Sequence, residues 1–76
     1  MKLVRFTKPS GTVFYVNASR VTLLEQGCKY NGIDPGHTLI YTSEKEYRIA
    51  DKSIDDVAED LRSSRKNDKL SKAIVN

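Results

Sequence analysis

Residues 12–21 read TVFYVNASRV, and the interruption in the middle of this stretch decides the fold. Thr12 to Val16 is dense in β-branched and aromatic side chains, the composition of a strand. Asn17-Ala18-Ser19 breaks the run, and Val21, Leu23 and Leu24 resume it. Asn and Ser side chains bond backbone groups one or two residues on, and such turns end a strand. The triplet therefore reads as a corner between two strands, the second running from Arg20 to Gln26. Asn17-Ala18-Ser19 also matches the glycosylation sequon. The chain starts MKLVRF, with no signal-peptide core, so that match is read as chance.

Upstream, Lys2 to Thr7 alternates and forms a first strand. Lys8-Pro9-Ser10-Gly11 joins it to the second: proline presets φ early in the turn, and glycine accepts the positive φ that closes it. Downstream, Gly27 to Gly36 (GCKYNGIDPG) is a loop of about ten residues, longer than the usual ~4–6. His37 to Thr42 is a fourth strand. Ser43-Glu44-Lys45 turns, and Glu46 to Ala50 is a fifth, with Tyr47 and Ile49 on one face. The period then changes. Ser53 and Asp56 make a capping pair, and Ile54, Val57, Ala58 and Leu61 fall on one stripe of a helix. The stripe ends at Arg62, because Arg65 and Asp68 occupy the positions that would continue it.

These elements predict an α+β fold: a small five-stranded, mostly antiparallel sheet or partly open barrel, with one C-terminal amphipathic helix. Residues 1–62 form the single domain. Residues 63–76 form a basic tail or short helical extension. A chain of 76 residues buries only about 60% of its unfolded surface, and its apolar fraction of 38% leaves little material for the walls of a deep pocket.

Composition excludes several chemistries. One cysteine permits no internal disulfide, and one cysteine with one histidine builds no zinc site. No cofactor, metal or catalytic set is expected. No apolar run reaches the ~18 residues that cross a bilayer, and a reduced cytoplasmic location follows as the expectation. Cys28 and His37 bracket the long loop, and a Cys–His pair can make a thiolate nucleophile. With no orienting Asn or Asp evident beside them and no wall to shelter them, they read as a surface thiol and a strand-end imidazole. Asp55, Asp56, Glu59 and Asp60 lack calcium-loop spacing and read as a solvated helix face.

Charge is segregated. Residues 1–61 carry eight basic and nine acidic side chains. Residues 62–76 carry five basic ones (Arg62, Arg65, Lys66, Lys69, Lys72) against Asp68. That tail is the candidate nucleic-acid contact, through phosphates. A stacking platform would need Tyr15, Tyr30, Tyr41 or Tyr47 on an open face with Arg5, Arg20 and Arg48; the alternative packs at least two tyrosines under the helix. One helix covers one face of a sheet, which leaves apolar area for a partner. The leading expectation is a non-enzymatic protein-binding module, with a protein partner or a second copy of itself. Tyr30 and Ile33 in the loop, and Leu70 and Ile74 in the tail, are the candidate contacts.

The segments VRFTKPSGTVFYVNASRV, TLIYT and EYRIADKSIDDVAEDL, taken in order, resemble the small flagellar-operon and swarming-motility proteins of the FlbD type. The resemblance spans residues 2–61. It implies a non-enzymatic accessory protein that acts through protein contacts at the flagellar motor, and it transfers no catalytic residue. The same pattern suits a small binding protein encoded by a phage or plasmid.

Overall fold

A computed structural model of the chain describes residues 2–63. Strands β1 (Leu3–Thr7) and β2 (Val13–Asn17) form an antiparallel hairpin. Gly11 closes the turn at φ 95°, donating its N–H to the Lys8 carbonyl at 2.8 Å, while Lys8 N–H reaches the Thr12 carbonyl at 2.8 Å. The corner follows. Asn17 Oδ1 accepts from Ser19 N–H (3.1 Å) and from Ser19 Oγ (2.7 Å), holding a 3₁₀ turn over Ala18–Arg20. Strand β3 (Val21–Gln26) leaves that turn and pairs with β4 (Thr38–Thr42), which pairs with β5 (Tyr47–Ala50). Helix α1 starts at residue 54 and continues to the last described residue, 63. Ser53 caps it, its Oγ accepting from Asp56 N–H.

The α+β class holds, but the five strands form two antiparallel sheets, β1-β2 and β3-β4-β5, rather than one sheet or a closed barrel. Two local causes separate them. The Asn17 corner redirects the chain between β2 and β3, and no ladder joins these two strands. Between β1 and β5, Asp51 N–H donates to the Thr7 carbonyl at 2.7 Å, and no ladder extends from that bond.

The core lies between the sheets and under α1. Phe6, Val16, Ile40, Ala50 and Val57 are buried together, with Val4, Phe14, Val21, Leu24 and Leu61 packed around them. Thr38 is buried too, and its hydroxyl donates to the Lys52 carbonyl at 2.9 Å. The helix stripe meets the sheets through Val57 and Leu61, while Asp55 and Glu59 face water.

Because Asn17 Oδ1 caps the corner beside its backbone bonds, Asn17→Ala is expected to cost about 0.5–2 kcal/mol, the range for losing a comparable backbone cap. Urea unfolding measures it. A variant as stable as the parent would remove the corner's dependence on Asn17.

Candidate protein-binding face

Register decides which side chains share a face. Residues directly opposite in an antiparallel pair point the same way. Leu23 lies opposite Tyr41, and Tyr41 opposite Tyr47; Glu25 lies opposite Leu39, and Leu39 opposite Ile49. These two rows form one face of the three-stranded sheet. Ile40, Ala50 and Leu24 have the other parity and pack in the core below. The Leu23–Tyr41–Tyr47 face therefore points away from the core and α1. Leu23 is 54% exposed and Tyr47 53%, and the Tyr41 and Tyr47 rings sit 5.7 Å apart, tilted by 43°. Pro9 and Lys8 of the hairpin turn line a shallow groove with Tyr47 and Ile49.

The carboxylate within these two rows is Glu25, and it is engaged by the loop beside it. Asn31 Nδ2 donates to Glu25 Oε2 (3.1 Å) and to the Gln26 carbonyl (3.1 Å). Asn31 Oδ1 accepts from the N–H groups of Cys28 (2.9 Å) and Ile33 (3.0 Å). Gly32, at φ 73°, follows it. Asp34 Oδ1 accepts from Gly36 N–H, and the Asp34 carbonyl accepts from His37 N–H. Loop 27–36 is thus an organised structure. Tyr30 projects from it, 88% exposed, with Lys29 Nζ 5.3 Å from its ring centre. Ile33 is half-buried.

Of the predicted contacts, Tyr30 is presented to solvent at the loop and Ile33 is partly withdrawn. Leu70 and Ile74 lie outside the described residues, as do Arg65, Lys66, Lys69 and Lys72. Arg62 is described: it is exposed and donates to Glu59 Oε2 at 3.5 Å. Sequence reasoning missed Leu23, Tyr41, Tyr47 and Ile49 as a set. The alternation was visible in each strand, but the cross-strand rows need the register.

The alternative placements of the tyrosines also resolve. None lies under the helix: Tyr15 and Tyr30 are exposed, and Tyr41 and Tyr47 occupy the outer face. Tyr15 alone of the four lines a groove with arginines, Arg20 and Arg48, and both of these are engaged by carboxylates. Arg20 pairs with Glu44 at 3.1 Å, and Arg48 has core-side parity and pairs with Glu46 at 3.1 Å. Arg5 sits opposite Tyr15 on the hairpin.

His37 is not alone at its strand end. Its Nε2 lies 2.9 Å from Asp51 Oδ1, an orienting carboxylate that reading the sequence did not find because it comes from beyond β5. Cys28 is a half-buried free thiol, and no hydrogen bond joins it to His37 among the described residues. On α1, Lys52 Nζ bonds Asp60 Oδ2, and Ser63 Oγ and Arg62 reach Glu59, so two of the four helix carboxylates serve ion pairs and hydrogen bonds. Among the described residues no group of three or more His, Cys, Asp or Glu side chains is arranged to hold a metal ion. No helix there is long and apolar enough to cross a membrane. A scan against protein-family models and searches of curated proteins and solved structures found no match to this chain.

Proposed function

We propose that this chain is a small non-enzymatic protein-binding module whose contact surface is the outer face of the three-stranded sheet. The observation that carries the reading is the row Leu23–Tyr41–Tyr47, two of whose members are more than half exposed although they stand beside buried Leu39. Tyrosines with half their area available are frequent anchors of protein contacts, because a large ring is immobilised at small entropic cost. The face is close to neutral, with Glu25 held by Asn31. It suits an apolar, aromatic-accepting protein surface better than a phosphate backbone, which demands Lys and Arg. Tyr30 extends the surface at the side of the same sheet. The resemblance to small flagellar-operon proteins points the same way, toward an accessory part of a larger assembly.

The test is Tyr47→Glu. Tyr47 is half-exposed on an outer face, so the fold should survive, as a circular dichroism spectrum would report. Partners retained by the immobilised parent are purified, and their affinity for parent and variant is measured. Introducing a carboxylate at an anchor is expected to weaken binding by about 2 kcal/mol or more, some thirtyfold. Equal affinity would eliminate the face. If instead the retained species are nucleic acids, lost on deletion of residues 63–76 and weakened steeply by salt, the basic segment is the functional element.

A further inference from the structure

Beyond that face, an edge of the same sheet is open, and the hydrogen-bond pattern identifies it. Gly27 N–H bonds the His37 carbonyl at 3.0 Å. Gly27 and Glu25 therefore aim their backbone groups at β4, since bonded pairs recur every second residue. Leu24 aims its N–H and carbonyl, and Gln26 its N–H, away from β4 at the free edge of the sheet, while the Gln26 carbonyl on the same side accepts from Asn31 Nδ2 at 3.1 Å. β3 is the longest strand of the fold. Its sequence, VTLLEQ, holds neither proline nor lysine, the residues that commonly discourage strand addition at an edge.

The other edges differ. At β5, Asp51 N–H is engaged by Thr7, and the Tyr47 carbonyl already accepts from Arg48 Nη1 at 3.0 Å. Beside β2 runs a groove in which Leu3, Tyr15 and Val16 are joined by four charged side chains, Arg20, Glu44, Glu46 and Arg48. Beside β3 the groove is apolar: Ala18, Val21, Leu24, Ala58 and Leu61, with Arg62 at its rim. Leu23 flanks the same strand on the outer face.

We propose that β3 pairs antiparallel with β3 of a second copy across a two-fold axis, joining two three-stranded sheets into one of six. Charge selects this occupant. Near the edge Arg20 is paired with Glu44 and Arg62 with Glu59, and Glu25 is hydrogen-bonded by the neutral amide of Asn31. A charged segment finds little unpaired charge there, Glu25 alone lacking an ion-pair partner among the described residues. A second copy brings apolar flanks and the same edge groups, Leu24 N–H and carbonyl and Gln26 N–H, which are self-complementary in an isologous contact. The contact is small. One short strand and its flanking side chains fall below the roughly 800 Å² per partner of a standard stable interface. The pairing is therefore reversible on dilution.

Sedimentation equilibrium on the full chain, combined with hydrogen exchange at two protein concentrations, tests this. Dimers should form as concentration rises. The Leu24 and Gln26 amides should then exchange several-fold more slowly by mass action, while the Ile49 amide keeps its rate. Gln26→Pro removes one edge donor at a position where proline is tolerated, and should give a monomer. Tyr47→Glu should still dimerise, which separates this inference from the proposed partner-binding face. A chain that stays monomeric into the millimolar range overturns the proposal. So does a dimer in which the Leu24 and Gln26 amides exchange at the monomer's rate, whatever Gln26→Pro does.

Discussion

Phe6→Ala is expected to cost about 3–5 kcal/mol of folding stability, the usual range for emptying a buried phenylalanine site. At roughly 0.05–0.15 kcal/mol per residue, the whole chain has about 4–11 kcal/mol to lose. The variant should therefore unfold at far lower urea concentration and be partly unfolded in buffer at the low end of that range. Phe6 is 1% exposed and belongs to the cluster with Val16, Ile40, Ala50 and Val57; its ring centre lies 5.9 Å from that of Phe14, directly opposite on β2. It is contributed by the two-stranded sheet yet packs with residues of the three-stranded sheet and α1. Removing it takes away contacts that hold the two sheets together, which a single backbone bond at Thr7 does not replace. The control is Tyr15→Ala on the opposite face of the same hairpin. Tyr15 is 61% exposed, and its loss should cost no more than about 0.5 kcal/mol. The chain has no tryptophan, so circular dichroism is the appropriate signal. Equal losses in the two variants would mean that the hairpin does not bury the Phe6 side.

How far these features were legible depends on the distance over which they are encoded. The turn at Pro9 and Gly11, the corner at Asn17 and Ser19, and the stripe Ile54–Val57–Ala58–Leu61 are set by neighbours within a few residues, and each stands where its local chemistry placed it. The division into two sheets is not local. It depends on the Asn17 corner turning the chain enough that β2 and β3 do not pair, an angle no composition encodes. The order in loop 27–36 was not legible, because it rests on Asn31, whose bonds to Glu25 and Gln26 reach back into β3. Asp51 as the partner of His37 required knowing that β4 and β5 are neighbours. The outer face shows the same limit. Tyr47 and Ile49 were assigned to one side of β5, whereas their alignment with Tyr41, Leu39 and Leu23 is fixed by the length of the turn at residues 43–46. The expectation that one helix leaves a sheet face uncovered rested on geometry rather than sequence detail, and the exposure of Leu23 and Tyr47 agrees with it.

Gly27→Ala should have the second-largest effect, about 1–3 kcal/mol or somewhat more, for a change of one methyl group. Gly27 is buried where β3 passes into the loop. A Cβ there would stand 2.7 Å from the Asp34 carbonyl carbon and 2.8 Å from the Ile33 carbonyl oxygen, and closer still to the Asp34 oxygen. All three are backbone atoms, so no rotamer change relieves the overlap; the segment 33–34 has to move. That segment is tied at several points. Asp34 accepts from His37 N–H through its carbonyl and from Gly36 N–H through its side chain, and Ile33 N–H donates to Asn31. Moving it loosens the loop around Asn31 and pulls on His37, whose imidazole is held at Asp51. The damage should be confined to one side of the molecule. Hydrogen exchange should show faster amides at Cys28, Ile33, Gly36 and His37, with those of Val4 and Phe6 in the hairpin following only the change in global stability. If Tyr30 contributes to partner binding, the same substitution should also weaken that binding more than its stability loss alone explains, because the loop no longer presents the ring beside the outer face. A Gly27→Ala protein with parental stability and parental loop exchange would show that strand and loop do not approach this closely in solution.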